Sequence, residues 1–180
     1  MLRAYVYSSK KQLSEISEEF SKAGAEPKYI GILYKKQKDS FEPFDSGKSL
    51  IIATDSDINK HYYLYNLSIQ DYDWKYFRMN DENSTTDLFL SGFKDWFYND
   101  VVNYVIDLLQ KLYDENHCKI YVPYDKKTKK SYGQCYILFN QNISDDIKKL
   151  YKIVLSNRPI DNEKYLNVKW KLNKPEKVFL

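Results

Sequence analysis

Two sets of side chains in this 180-residue chain have types and spacing suited to chemistry. Phe89 and Tyr136 stand at alternating positions of two β-rich runs, 88–93 and 132–139, with Gln134 two residues before Tyr136. Aromatic rings on an uncovered strand face stack on unpaired bases, each stack being worth about 1 to 3 kcal/mol. An amide such as that of Gln134 can bind a base edge, but it stacks less well than a ring. Lys126, Lys127, Lys129 and Lys130 crowd one turn, and Asn167, Lys169 and Lys171 alternate along a later run. Cations so placed can track phosphates. Each feature also has a plainer reading: paired aromatics on a sheet often pack or form an interface, and a lysine-rich turn is often only solvated.

Other chemistries fit poorly. His61 and His117 lie in different halves with no acidic or cysteine partner at metal-ligand spacing. No Gly-x-Ser-x-Gly elbow, Cys-His signature or phosphate-cradling nest is visible. Asp55 with Asp57, and Asp145 with Asp146, sit at expected helix starts, where acids favour the helix dipole. Cys118 and Cys135 can approach across an expected hairpin, yet two reduced packing thiols are the better expectation. The expectation is therefore a non-enzyme with no catalytic residue, no metal and no cofactor.

The elements that must position these residues are legible from composition and pattern. Hydrophobic residues make up 43% of the chain and charged residues 29%, enough apolar material for one large or two compact domains. Only 5 glycines and 5 prolines argue against linkers, collagen-like repeats or a Walker-type loop; 18 tyrosines are the anomaly. No apolar run nears the length of a membrane span and no signal-peptide pattern opens the chain, which leads to the expectation of a soluble intracellular protein of nucleus or cytoplasm, with no membrane partner. Net charge is +3: residues 1–85 carry 12 Lys+Arg against 13 Asp+Glu, or −1, and residues 86–180 carry 16 against 12, or +4. The positive field belongs to the second half.

The polar segment 81–86, DENSTT, is the expected linker. It separates a domain at 1–80 from one at 87–173, with a tail at 174–180. In the second half, TDLFLSGF alternates as a strand; Asn99 is expected to cap a helix with the stripe Val102, Val105, Ile106, Leu109 and Leu112. CKIYVPYD and SYGQCYILF form a hairpin, a helix begins near Ser144 with Ile147, Leu150, Val154 and Leu155 inward, and KYLNVKWKL closes as a strand. The first half repeats the order more faintly. LRAYVYS is a strand, Leu13, Ile16, Phe20 and Ala23 are a helical stripe ending at Gly24, KYIGILY and SLIIAT are strands, DINKHYYLYNL is a short helix and DWKYFRM a last strand. Each half thus reads β-α-β-β-α-β. The fold class is α+β, two tandem ferredoxin-like domains, each a four-stranded antiparallel sheet with both helices on one face.

Residues 86–173 resemble the RNA recognition motif family. Leu88-Phe89-Leu90-Ser91-Gly92-Phe93 is similar to its first-strand hexamer. Lys130-Ser131 followed by Tyr132 to Phe139 is similar to its third-strand octamer, with Gly133, Tyr136, Ile137 and Phe139 in pattern and Tyr132, Gln134 and Cys135 out of it. Alternation then turns Leu88, Leu90, Cys135, Ile137 and Phe139 toward the helices and leaves Phe89, Gln134, Tyr136 and Leu138 on the open face. The first half resembles the family less: Ala4-Tyr5-Val6 alternates like the hexamer, but residues 48–53 hold no aromatic, so Tyr5 and Tyr7 stand alone on that open face. The resemblance implies binding of single-stranded RNA through the second domain. The alternative is a non-catalytic adaptor or structural subunit of a ribonucleoprotein or other assembly that uses its RRM-like domains for protein-protein contacts; protein partners are expected chiefly at the N-terminal domain. The cluster Tyr62, Tyr63, Tyr65, Tyr72, Trp74 and Tyr76 is read as core, seam or partner site.

Overall fold

A computed structural model of the chain describes residues 3–8, 12–32, 34–36, 41–43, 49–54, 69–71, 87–156, 158, 160 and 166–171. The chain divides into two compact units, Met1–Trp74 with Leu109–Leu112, and Lys75–Leu108 with Tyr113–Leu180. The expected linker at 81–86, the short helix at 57–67, the strand at 73–79, the tail at 174–180, the cluster Tyr62 to Tyr76, His61, Asp55 and Asp57 lie outside the described residues.

In the first unit β1 (Arg3–Ser8) is followed by α1 (Leu13–Lys22), β2 (Tyr29–Ile32), β3 (Tyr34–Lys36), β4 (Phe41–Pro43), β5 (Ser49–Thr54) and β6 (Ile69–Asp71). Ile16 and Phe20, four apart on one helix face, are fully buried, whereas Leu13 in the first turn is 37% exposed. Gly24 ends the helix at φ +82, with Ala25 N–H bonding Phe20 O and Gly24 N–H bonding Ser21 O, the pairing of a Schellman cap. The antiparallel sheet runs β2-β5-β1-β6. One feature departs from expectation. A hairpin of β3 and β4, with Tyr34 opposite Pro43, follows β2, where one continuous strand was expected. On its other edge from β5, β1 pairs with β6, Tyr5 standing opposite Asp71.

The second unit contains β7 (Asp87–Ser91), α2 (Tyr98–Leu109) up to Leu108, β8 (Cys118–Tyr121), β9 (Gln134–Phe139), α3 (Asp145–Leu155) and β10 (Asn167–Lys171), and its antiparallel sheet runs β10-β7-β9-β8. This is the ferredoxin-like order, with β7 and β9 central. Period-two alternation gives β7 its pattern, Leu88 and Leu90 being fully buried between half-exposed neighbours. Cys135 and Ile137 on β9 join them, with Val101 and Val105 of α2 and Leu150, Val154 and Leu155 of α3. Full burial of each such aliphatic stabilises the fold by about 1.5 to 3 kcal/mol.

The helix ends show what the pattern missed. α2 starts at Tyr98, and the carbonyl of Phe97 accepts from Asp100 N–H and Val101 N–H, so Asn99 lies exposed in the first turn instead of capping it. The buried stripe accordingly runs through Val101 and Val105, with Val102 and Ile106 half-exposed; Leu109 and Leu112 are buried. Ser144 caps α3, its Oγ accepting from Ile147 N–H at 3.4 Å, with Asp145 and Asp146 in the first turn.

Candidate nucleic-acid interface

Strand register builds the site. Directly opposed residues of antiparallel strands share a sheet face, so the pairings Lys169 to Phe89, Phe89 to Tyr136 and Tyr136 to Tyr121 draw one row across all four strands on the face away from Leu88 and Ile137. Parallel to it run Asn167, Ser91 and Gln134 on one side, and Lys171, Asp87, Leu138 and Lys119 on the other. Phe89 and Tyr136 lie with ring centroids 5.3 Å apart at 59°, and Tyr121 lies 6.0 Å from Tyr136 at 33°. Gln134, Asn167 and Lys169 are exposed.

One expectation is corrected. Tyr136 is not an exposed platform ring but only 9% exposed, because it sits on a central strand between Phe89 and Tyr121 while the Lys171 ammonium lies 4.6 Å from its ring centroid. Lys171 is therefore half-buried over a ring face, a cation–π contact, instead of reaching outward. Burial, with Tyr121 alongside, raises the Tyr136 phenol above its ordinary range and keeps it neutral. The open rings of the row are the half-exposed Phe89 and Tyr121. Sequence reasoning passed over Tyr121, although Cys118 buried and Lys119 exposed give β8 the same alternation that placed Phe89.

Lys126, Lys127, Lys129 and Lys130 are all exposed on the connection between β8 and β9. The backbone there is tied down. Asp125 Oδ1 accepts from Lys127 N–H at 2.7 Å and Thr128 N–H at 3.2 Å, Lys129 N–H bonds Asp125 O, and Asp125 N–H bonds Lys130 O. Lys129 takes φ +65, uncommon for a non-glycine residue. The returning limb is also stitched to the segment between β7 and α2: Tyr98 N–H bonds Lys129 O at 3.0 Å, Asp95 N–H bonds Ser131 O at 3.3 Å, and Phe93 N–H bonds Gly133 O at 3.2 Å. Buried Ser131 donates its hydroxyl to Phe93 O and accepts from Gly133 N–H. Tyr98 and Tyr124 stack across this seam at 4.1 Å and 14°, with the Lys129 ammonium 5.7 Å from the Tyr124 ring.

The remaining candidates resolve into packing. Register sets Cys118 opposite Phe139 while Cys135 pairs at the far end of β9, so the cysteines are four positions apart, about 13 Å along the strand. They cannot bridge, and both are free and buried. Burial pushes their thiols up, to about 11 for Cys118 and about 12 for Cys135. His117 Nδ1 lies 3.0 Å from the Tyr151 hydroxyl. Phe139, expected to face the helices, meets Tyr151 of α3 edge to face at 5.2 Å. No metal-holding group of His, Cys, Asp or Glu occurs among the described residues. In the first unit Tyr5, expected on the open face, is 1% exposed: it stands mid-strand on β1 with Ile52 of β5 and Asp71 of β6 at the opposed positions on either side.

No family model matches the chain and no curated protein matches it. Among solved structures it is similar to the Sxl-lethal protein/RNA complex, with 14% identity, 94% of this chain and 98% of that chain covered and a TM-score of 0.36. It is also similar to the first two RRM domains of yeast poly(U) binding protein, with 13% identity, 96% and 100% covered and a TM-score of 0.35. A third is the Sex-lethal RNA recognition domains 1 and 2 from Drosophila melanogaster, with 13% identity, 94% and 99% covered and a TM-score of 0.34.

Proposed function

We propose that the second unit binds single-stranded RNA on the sheet face turned away from Leu88 and Ile137, and that the chain is a tandem of two ferredoxin-like domains of which the first packs or contacts proteins. The observation that carries this is the row Lys169, Phe89, Tyr136, Tyr121, which joins two half-exposed rings to an exposed cation on one face. Unpaired bases stack on Phe89 and Tyr121, with Tyr136 as the apolar floor. Gln134 and Asn167 offer donors and acceptors to base edges, and Lys169 with the loop lysines neutralises phosphate. We assign no catalytic step and no cofactor.

The adaptor reading is favoured by one feature: with Lys171 over Tyr136, the stacking surface is small. Fluorescence anisotropy of the whole chain with pooled single-stranded RNA, single-stranded DNA and duplex, across a salt series, separates the two. The RNA reading expects tightest binding to single-stranded RNA and affinity falling with salt. Absence of binding near physiological salt rejects it.

A further inference from the structure

Among the described residues three large apolar side chains are exposed, and two of them belong to one place: Phe97 at 51% and Tyr132 at 62%. Phe97 forms an antiparallel bridge with Lys130, and Tyr132 stands two residues beyond Lys130 on the same extended limb. Opposed residues share a face and alternate residues return to it, so Phe97, Lys130 and Tyr132 project on one side. Diagonal neighbours in this arrangement lie about 7 to 8 Å apart, near enough for one extended strand to touch both rings.

The surroundings decide what kind of partner fits. Tyr98 and Tyr124, on the alternate positions, stack on each other, so those rings are used in holding the seam together. Beneath it Phe93, Trp96 and Tyr104 pack edge to face at 5.3 to 5.9 Å. The exposed rings thus sit on a stiffened base among Lys126, Lys127, Lys129 and Lys130, with Asp125 occupied by backbone N–H groups. An apolar protein surface gains nothing from four lysines around it. A polyanion with flat apolar faces matches both features.

Resting on the reading above, we infer that this loop is a second base-stacking station. A strand lying on the sheet row passes over Gln134, two residues after Tyr132, and continues onto Phe97 and Tyr132. Its added contacts require a longer strand, so the station acts as a length gauge.

The test is anisotropy of the full chain with random single-stranded RNA of about 4 and about 10 nucleotides, comparing parent, Phe97→Ser/Tyr132→Ser and Phe97→Tyr/Tyr132→Phe. Both side chains are exposed, so thermal melts should match; Tyr132→Ser alone serves if the double variant melts lower. The inference expects the serine variant to lose about fivefold or more affinity for the long strand, unchanged affinity for the short one, and recovery in the aromatic-retaining variant. Parent-like binding of both lengths by the serine variant, or equal loss on both, overturns the loop station while leaving the sheet site standing. Failure of the parent to bind either strand overturns both. Retention of long-strand affinity in Phe97→Leu/Tyr132→Leu overturns stacking as the mechanism.

Discussion

Phe89 on β7 stands directly opposite Tyr136 on β9, with their ring centroids 5.3 Å apart. The two residues differ in what they offer. Phe89 is half-exposed and free to meet a base, while Tyr136 is enclosed by Phe89, Tyr121 and the Lys171 ammonium. Tyr136→Ala should therefore lower stability as well as RNA affinity, by about 3 kcal/mol or more for a large buried ring. Urea unfolding of Tyr136→Ala beside Phe89→Ala measures the difference, and equal, small losses would show Tyr136 to be surface-exposed.

Replacing Lys126, Lys127, Lys129 and Lys130 by Gln should weaken binding to all sequences alike and flatten the salt dependence. Lys129 lies near the Tyr124 ring, so Lys129→Gln alone should change the slope least. Anisotropy across a salt series reads both; an unaltered slope in the quadruple variant marks the loop as merely solvated.

Much of this was legible from alternation and spacing. Leu88 and Leu90 face inward because the period of a strand is two, and Ser144 caps α3 because its hydroxyl can reach Ile147 N–H. What escaped depends on contacts distant in sequence. The register that sets Tyr121 beside Tyr136, and Lys171 over that ring, comes from pairing between strands, which no local window contains. Nor does spacing reveal that the turn carrying four lysines is stitched to the segment before α2, since that depends on Ser131 meeting Phe93 and Tyr124 stacking on Tyr98. The enclosure of Tyr5 is of the same kind.

Ser131 and Gly133 hold that seam. Ser131→Ala should cost about 1 to 3 kcal/mol by leaving buried backbone groups of Phe93 and Gly133 without their hydroxyl partner. Gly133 adopts φ +109, and a Cβ there would meet Lys94 Cβ and N at 3.4 Å, so Gly133→Ala should cost about 1 to 3 kcal/mol through backbone strain. Denaturant midpoints check both, and a loss under about 0.5 kcal/mol in each would remove the brace.

The buried thiols give a pH signature. Burial raises Cys118 to about 11 and Cys135 to about 12, from an ordinary 9.0, so the folded state holds these protons more tightly than the unfolded chain. Their contribution to stability is complete below pH 9 and is lost as pH rises toward 11 to 12. A Cys118→Ala/Cys135→Ala variant should show a shallower decline in stability over that window. In the parent, a thiol reagent at neutral pH should react with neither cysteine until denaturant is added; rapid modification of the native protein would contradict their burial.

The most direct measurement is the affinity of the full chain and of Phe89→Ala for pooled single-stranded RNA at one fixed salt concentration. Phe89 offers a half-exposed ring at the centre of the row and is not enclosed like Tyr136, so its removal tests stacking with little disturbance of the fold. The sheet-face account predicts a loss of about 5- to 150-fold, the equivalent of one stack, with the unfolding midpoint near that of the parent. Parent-like affinity in Phe89→Ala would contradict it, because RNA would then be held somewhere other than this face.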